Sequence, residues 1–243
     1  LDSALVDRSL APSRERAQSL IAAGLVRVDG RPARSASERV SPASRVEVTG
    51  RDHPWAGRGG IKLAAALDAF AVSAAARVCL DAGASTGGFT DVLLARGAAL
   101  VYAVDVGRGL LDARLATDPR VRVMDGTNIR LLEALPGPAP ELVCLDLAFI
   151  SLRAVLPNVA RLAPGAETVA LFKPQFELGR EAVARGGVVR SPQRVSAGLD
   201  ALERWAEAEL SAAVLDAPVA AAVRGAKGNQ EWFVHLRLPG AAR

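Results

Sequence analysis

Apolar and polar positions follow two different rhythms along this chain of 243 residues. In the first fifty residues the pattern is short-ranged. Ala17, Leu20 and Ile21 fall at helical spacing behind Ser13 as N-cap, and Gly24 is the natural C′ stop. Leu25-Val26-Arg27-Val28 then alternates at period two, Asp29-Gly30 signals a hairpin turn, and Val46-Glu47-Val48 supplies a further strand. This predicts a small α+β module over residues 1–50, a helix pair followed by a small sheet. Residues 51–58, which open a stretch carrying Pro54, Gly57, Gly59 and Gly60, read as a linker into a second domain over 59–243.

From Arg77 onward the rhythm changes to apolar, β-branched runs separated by helical or turn segments. The runs at 77–82, 99–105, 121–124, 141–147 and 167–172 predict five strands of a parallel, doubly wound α/β sheet. A helix is expected at 196–210, with Leu199, Leu202, Trp205 and Leu210 on one face. Two last strands, near 217–223 and 231–238, have no room for a crossover helix between them and should be antiparallel at one edge of the sheet.

Composition narrows the picture. Half of the residues are hydrophobic, enough for a real core. No apolar run approaches the roughly 18 residues needed to span a bilayer, and the first residues do not read as a signal peptide, so a cytoplasmic, monomeric protein without membrane contact is expected. Cys79 and Cys144 lie in apolar runs without metal-type spacing, and His53 and His235 have no ligand-like neighbours; metal and Ser-His-Asp chemistry are both disfavoured. Residues 1–58 carry ten Arg against seven Asp and Glu, so most of the net charge of +4 sits at the front. That bias points to an acidic partner such as nucleic acid. Of the 30 basic residues only Lys62, Lys173 and Lys227 are lysines. A position that has stayed lysine in an arginine-rich chain is a candidate for an amine that can give up its proton.

Arg14, Arg16, Arg27, Arg31 and Arg34 are spaced to leave guanidinium groups along the helix and hairpin of the first module. Together with Ser13-Arg14-Glu15-Arg16-Ala17, Gly24 to Gly30 and Val46-Glu47-Val48, the module resembles an S4 RNA-binding domain. The resemblance implies that these arginines, with Arg58 in the linker, meet structured RNA through shape and phosphate contacts.

The chemistry of the second domain centres on Cys79 to Thr90. A strand ending in Asp81 breaks into a turn containing Gly83, Ser85, Thr86, Gly87 and Gly88, and a helical pattern resumes at Phe89 and Thr90. Asp105, followed by Val106, closes the next strand about 20 residues past the turn, where a carboxylate can accept ribose hydroxyls. The turn reads D-x-G-x-x-x-G-G, not G-x-G-x-x-G, which favours S-adenosylmethionine over a dinucleotide. Asp125-Gly126, after the third strand, is placed either for an adenine-binding carboxylate or for an ordinary turn. Asp146 and Lys173 close the fourth and fifth strands at the same edge as the turn, where Asp146 is also a candidate cofactor contact, and Lys62 and Glu231 could converge there.

At these residues the domain resembles the FtsJ-type ribose 2′-O-methyltransferases, whose Lys-Asp-Lys-Glu tetrad falls in order on Lys62, Asp146, Lys173 and Glu231. With the S4-like front end, the chain resembles the TlyA, or hemolysin-like, family of ribosomal RNA methyltransferases. The matching segments include Arg58 to Leu63, Asp81 to Thr90, Asp146 to Leu152, Lys173 to Glu177, Gly186 to Arg190 and Lys227 to Glu231; Ala148, where the family usually has Ser, and Trp55-Ala56-Gly57 depart from it. The resemblance implies a Rossmann-like methyltransferase fold, S-adenosylmethionine as cofactor, and ribosomal RNA or ribosomal subunits as partner. Lys173 is then the general base, Asp146 and Glu231 orient the lysines, and Lys62 positions the hydroxyl. Two rival classes are an RNA-binding assembly factor that has lost catalysis and a membrane-active toxin. The complete tetrad speaks against the first, and the acidic face of the 196–210 helix, with Glu203, Glu207 and Glu209, against the second.

Overall fold

Strand alternation in the first fifty residues becomes a small three-stranded antiparallel sheet. In the computed structural model, which describes residues 1–11, 14–50, 53–225 and 227–241, strands β1 (Val26–Val28), β2 (Arg31–Pro32) and β3 (Val46–Val48) pair in the order β2-β1-β3. Two helices, α1 (Asp2–Asp7) and α2 (Arg14–Ala22), precede them. Leu5, Ala17, Leu20, Val26 and Val28 are buried together, so the period-two and helical positions do share one small core. Ser13 lies outside the described residues. Asp2 accepts hydrogen bonds from Gln18, Arg14 and its neighbour Ser3; the Gln18 and Arg14 donors hold its carboxyl down at about 2.

The chain divides into units Leu1–Pro54 and Trp55–Arg243. Residues 55–58, expected in the linker, belong to the second unit. Trp55 and Ala56 pack against its core, and the Ala56 amide donates to Asp91 Oδ2 at 2.9 Å.

The second unit is built on seven strands: β4 (Val78–Ala82), β5 (Leu100–Asp105), β6 (Val121–Asp125), β7 (Leu142–Leu145), β8 (Glu167–Phe172), β9 (Ala213–Ala220) and β10 (Trp232–Arg237). Their order is β6-β5-β4-β7-β8-β10-β9. The pairs from β6 through β8 are parallel, and β10 is antiparallel to both β8 and β9. Helices α3 (Gly59–Ala69), α4 (Gly88–Ala95) and α5 (Ala113–Ala116) contribute Leu63, Leu67, Leu93 and Leu115 to the core on one face. Helices α6 (Leu156–Leu162) and α8 (Pro192–Ala208) contribute Leu156, Val159, Leu199 and Leu202 on the other. A short helix, α7 (Pro174–Glu177), follows β8 directly.

Two elements differ from expectation. Helix α8 begins at Pro192, four residues ahead of the expected start, because the Ser191 hydroxyl caps the Arg194 amide and Pro192 occupies the first turn. Strand β9 lies earlier than 217–223 because its span follows its pairing with β10, which contains register shifts between Phe233 and Leu236. Cys79 and Cys144 are buried free thiols, and burial pushes Cys79 up to about 12.

Strand order reverses direction between β4 and β7, the two strands that end near Asp81 and Asp146. Ligands of open α/β sheets bind outside the carboxyl ends of the strands at such a crevice.

Candidate active site

The turn after β4 has the backbone that its glycines permit. Gly83 has φ +90° and Gly87, the N-cap of α4, has φ +95°. A Cβ on Gly83 would run into the Asp146 carbonyl oxygen, so the turn lies directly against the end of β7. Asp81 is fully buried, and its Oδ2 accepts the Thr90 hydroxyl at 2.7 Å while Oδ1 has no hydrogen-bond partner. Burial pushes Asp81 up to about 7, against the lowering effect of the Thr90 hydrogen bond and with further upward pressure from Asp146 and Asp105. A buried carboxylate oxygen without a donor is costly unless a cation or donor arrives. The ammonium of an S-adenosylmethionine amino-acid tail has the charge and hydrogen-bonding capacity to fill that need.

The nucleoside end fits as well. Asp105 accepts the amides of Ser85 (2.9 Å) and Gly107 (2.7 Å), one on each oxygen, which fixes the carboxylate beside the turn with lone pairs left for hydroxyls. Asp125 is its partner across the β5–β6 ladder. The Asp125 Oδ2 accepts the Gly109 amide at 2.7 Å, so this residue does anchor a turn, and Val106 on the same loop is 71% exposed. The Arg108 guanidinium lies over Gly126.

The four tetrad residues form two ion pairs. Lys62 Nζ donates to Glu231 Oε2 at 2.7 Å, and Lys173 Nζ lies 2.5 Å from Asp146 Oδ1. All four side chains are largely shielded from solvent, so each charge is offset by a partner and not by water. Three different devices place them. Lys62 lies one turn into α3, whose first turn approaches α4 closely because Gly88 has no side chain; a Cβ on Gly88 would stand 2.8 Å from the Gly60 nitrogen. Asp146 follows β7, its amide still bonded to the Ala82 carbonyl at 3.0 Å, and Lys173 follows β8 as the N-cap of α7. Glu231 directly precedes β10, whose antiparallel pairing puts Trp232 opposite Phe172 and so carries Glu231 to the end of β8 that bears Lys173.

The pairs are neighbours. Gln175, two residues past Lys173, donates to Glu231 Oε1 at 3.5 Å, and Gly59 at the start of α3 lies beside Asp146, where a Cβ would stand 3.3 Å from the Phe89 ring and 3.6 Å from Asp146 Oδ2. Two lysines and two carboxylates therefore border one site at the carboxyl edge of the sheet, next to the glycine turn.

The arginines expected at RNA divide by unit. In Leu1–Pro54, Arg14 is ion-paired with Asp2 at 2.9 Å with a side chain 67% exposed, Arg16 reaches His53 at 2.7 Å, Arg27 bonds the Gly30 carbonyl, and Arg31 and the Arg34 amide both meet Glu38. Arg58 lies in the second unit, 3.4 Å from the Arg224 carbonyl. Sequence reasoning assigned no role to Gln175, Asn229 or Glu177. Asn229 is buried and holds the Val189 amide and the Gly187 carbonyl, both at 2.8 Å. The signal available for all three was their place within or beside the tetrad segments.

Residues 55–238 match the FtsJ-like methyltransferase family and residues 1–46 match the S4 domain. The chain is 48% identical over 244 residues to the 16S/23S rRNA (cytidine-2′-O)-methyltransferase TlyA of Mycobacterium tuberculosis, covering 98% of this chain and 89% of that protein. It is 40% identical over 250 residues to YqxC of Bacillus subtilis, described as a candidate rRNA methyltransferase, with 99% and 86% covered. A solved structure from Streptococcus thermophilus, described as a candidate hemolysin, superposes with a TM-score of 0.78 at 36% identity over 98% of this chain and 87% of that one.

Proposed function

The chain belongs to the FtsJ-like methyltransferase family, in the TlyA branch that carries an S4 domain, and on that premise we propose that it methylates the 2′-hydroxyl of cytidine ribose in 16S rRNA, 23S rRNA or both. The observation that carries this reading is the pairing of Lys62 with Glu231 and Lys173 with Asp146 around one site beside the Asp81–Thr90 turn. S-adenosylmethionine, when bound, supplies a methyl group on a sulfonium. Asp81 would hold its ammonium and Asp105 accept the ribose hydroxyls, with Gly83, Ser85, Thr86, Gly87, Gly88, Phe89, Thr90, Val106, Asp125, Gly126 and Asp146 completing the surroundings.

Lys173 is the group placed to take the proton of the attacking 2′-hydroxyl, with Asp146 fixing its amine. Lys62, held by Glu231, orients that hydroxyl, so that most of the rate gain comes from holding it in line with the methyl group. The S4 module would dock on structured RNA through Arg14, Arg16, Arg27, Arg31 and Arg34, and Arg58 would add a contact from the catalytic unit.

Among the described residues no helix is long and apolar enough to cross a membrane, and nothing in the site favours a membrane activity. The test is transfer of radiolabelled methyl from S-adenosylmethionine to purified small and large ribosomal subunits, with the modified nucleotide mapped by mass spectrometry. Labelling of ribose 2′-oxygen supports the proposal; labelling of bases only, or none on either subunit, sinks it.

A further inference from the structure

The segment after β7 and the segment after β8 are joined more tightly than the Lys173–Asp146 pair requires. Glu177, the last residue of α7, receives the Ser151 hydroxyl on Oε2 at 2.6 Å and the Leu152 amide on Oε1 at 2.7 Å. Both donors close the loop that begins at Asp146. Between them and Asp146 the loop passes through Phe149, which has φ +65°, is 88% exposed, and meets the Phe176 ring at a centroid distance of 5.2 Å. A bulky residue in the left-handed region is strained and persists only where its surroundings dictate the backbone. The surroundings here are the residues that flank the catalytic pair on both strands.

We propose that Glu177 is a positioning residue: it clamps the 146–152 loop to the Lys173 segment at the far end and thereby sets the geometry in which Asp146 holds the Lys173 amine. The clamp and the ion pair act as two ends of a staple. With the ion pair alone, the loop could pivot about Asp146; with Glu177 in place both ends are tied and the carboxylate of Asp146 has one orientation toward Lys173. Burial raises the pKa of Glu177, and the Ser151 hydroxyl and Leu152 amide oppose that rise, so the two donors favour the carboxylate form. The carboxylate spends both oxygens on Ser151 and Leu152 and so acts through the loop.

The inference rests on the methyltransferase reading, and its test separates the two. Methyl transfer to ribosomal subunits, affinity for S-adenosylmethionine and thermal midpoint are measured for the full chain and for Glu177→Ala, Glu177→Gln and Ser151→Ala. A glutamine keeps both links, since its carbonyl accepts the Leu152 amide and its amide donates to the Ser151 oxygen. For Glu177→Ala, kcat is expected to fall about tenfold to a hundredfold, with KM for the subunits and cofactor affinity within about threefold of the parent. Ser151→Ala should show a smaller fall of the same kind, and Glu177→Gln should recover most of the rate. If Glu177→Ala does not fold, Ser151→Ala and Glu177→Gln decide. Unchanged kcat in Ser151→Ala and Glu177→Ala with an active parent overturns the clamp alone. So does a glutamine variant that loses rate and cofactor affinity together, because that is the behaviour of a residue needed only for folding. A parent chain that transfers no methyl group overturns the methyltransferase reading and the clamp with it.

Discussion

Replacing Asp81 with asparagine should make the free protein more stable and the cofactor site worse. Asp81 is fully buried, with one oxygen bonded to Thr90 and the other to nothing. Its folded-state pKa is raised from 3.8 to about 7, so ionising it in the free protein at alkaline pH costs roughly 4 kcal/mol, the shift multiplied by about 1.36 kcal/mol per unit. The sign follows from proton linkage: between the two values the folded state binds the proton more tightly than the unfolded chain, so this group's destabilising contribution grows as pH rises and is complete above about 7. Asparagine removes the charge, keeps an acceptor for Thr90, and leaves an amide in place of the lone oxygen at a cost of about 1–3 kcal/mol. Asp81→Asn is therefore expected to exceed the parent by about 1–3 kcal/mol at about pH 8.5, and that gap should shrink by roughly 3 kcal/mol toward about pH 5 as the parent takes up its proton. Urea unfolding of both proteins across that range reads the difference directly. In parallel, calorimetry should find S-adenosylmethionine binding weakened about tenfold to a hundredfold in the variant, the range for losing a charged hydrogen-bond partner. The parent's affinity should also decline as pH falls below about 7. Parallel stability curves for the two proteins, or equal affinities, would refute the assignment of Asp81 as a buried carboxylate waiting for a cation.

Three further outcomes follow from the same geometry. Lys173→Ala should lower methyl transfer about a hundredfold to ten-thousandfold in single-turnover assays while leaving cofactor affinity nearly unchanged, the signature of a lost general base. Lys62→Ala leaves the Glu231 carboxylate buried without its cation and should cost about 3–5 kcal/mol in a denaturant titration, most of it recovered by adding Glu231→Gln. Arg27→Ala, on the exposed face of β1, should weaken RNA binding and reduce the slope of log affinity against log salt by about one, leaving the rate on saturating RNA unaltered.

Much of the catalytic unit was legible because each parallel strand carries its own signal. In β4, β5, β7 and β8 a run buried on both faces reads as nearly continuous apolar sequence, and although the edge strand β6 exposes Arg122 and Val123, all five expected parallel strands are present with their ends within two residues. The antiparallel turn at the end of the chain was legible from loop length alone. Helix α3 was not. Its Gly59-Gly60 start reads as loop, yet a Cβ on Gly60 would run into the Trp55 side chain and one on Gly59 would press on the Phe89 ring, a reason that exists only once those side chains are packed. The start of α8 was missed for a smaller reason: the cap at Ser191-Pro192 lies ahead of the apolar face that marked the helix.

The chemistry divides along the same line. Residue identity and local spacing by themselves determined the strand that ends in Asp81, the turn that follows it, the second carboxylate at Asp105 and the scarcity of lysine, because each is a property of a short stretch. What tertiary structure decided was which residues meet. Lys62 and Glu231 are 169 positions apart, and they touch because β10 enters the sheet antiparallel beside β8 while α3 leans on α4. The orphaned oxygen of Asp81 and the hold of Glu177 on Ser151 and Leu152 belong to that second class too. Burial and hydrogen-bond satisfaction are properties of the assembled crevice, and no local pattern along the chain records them.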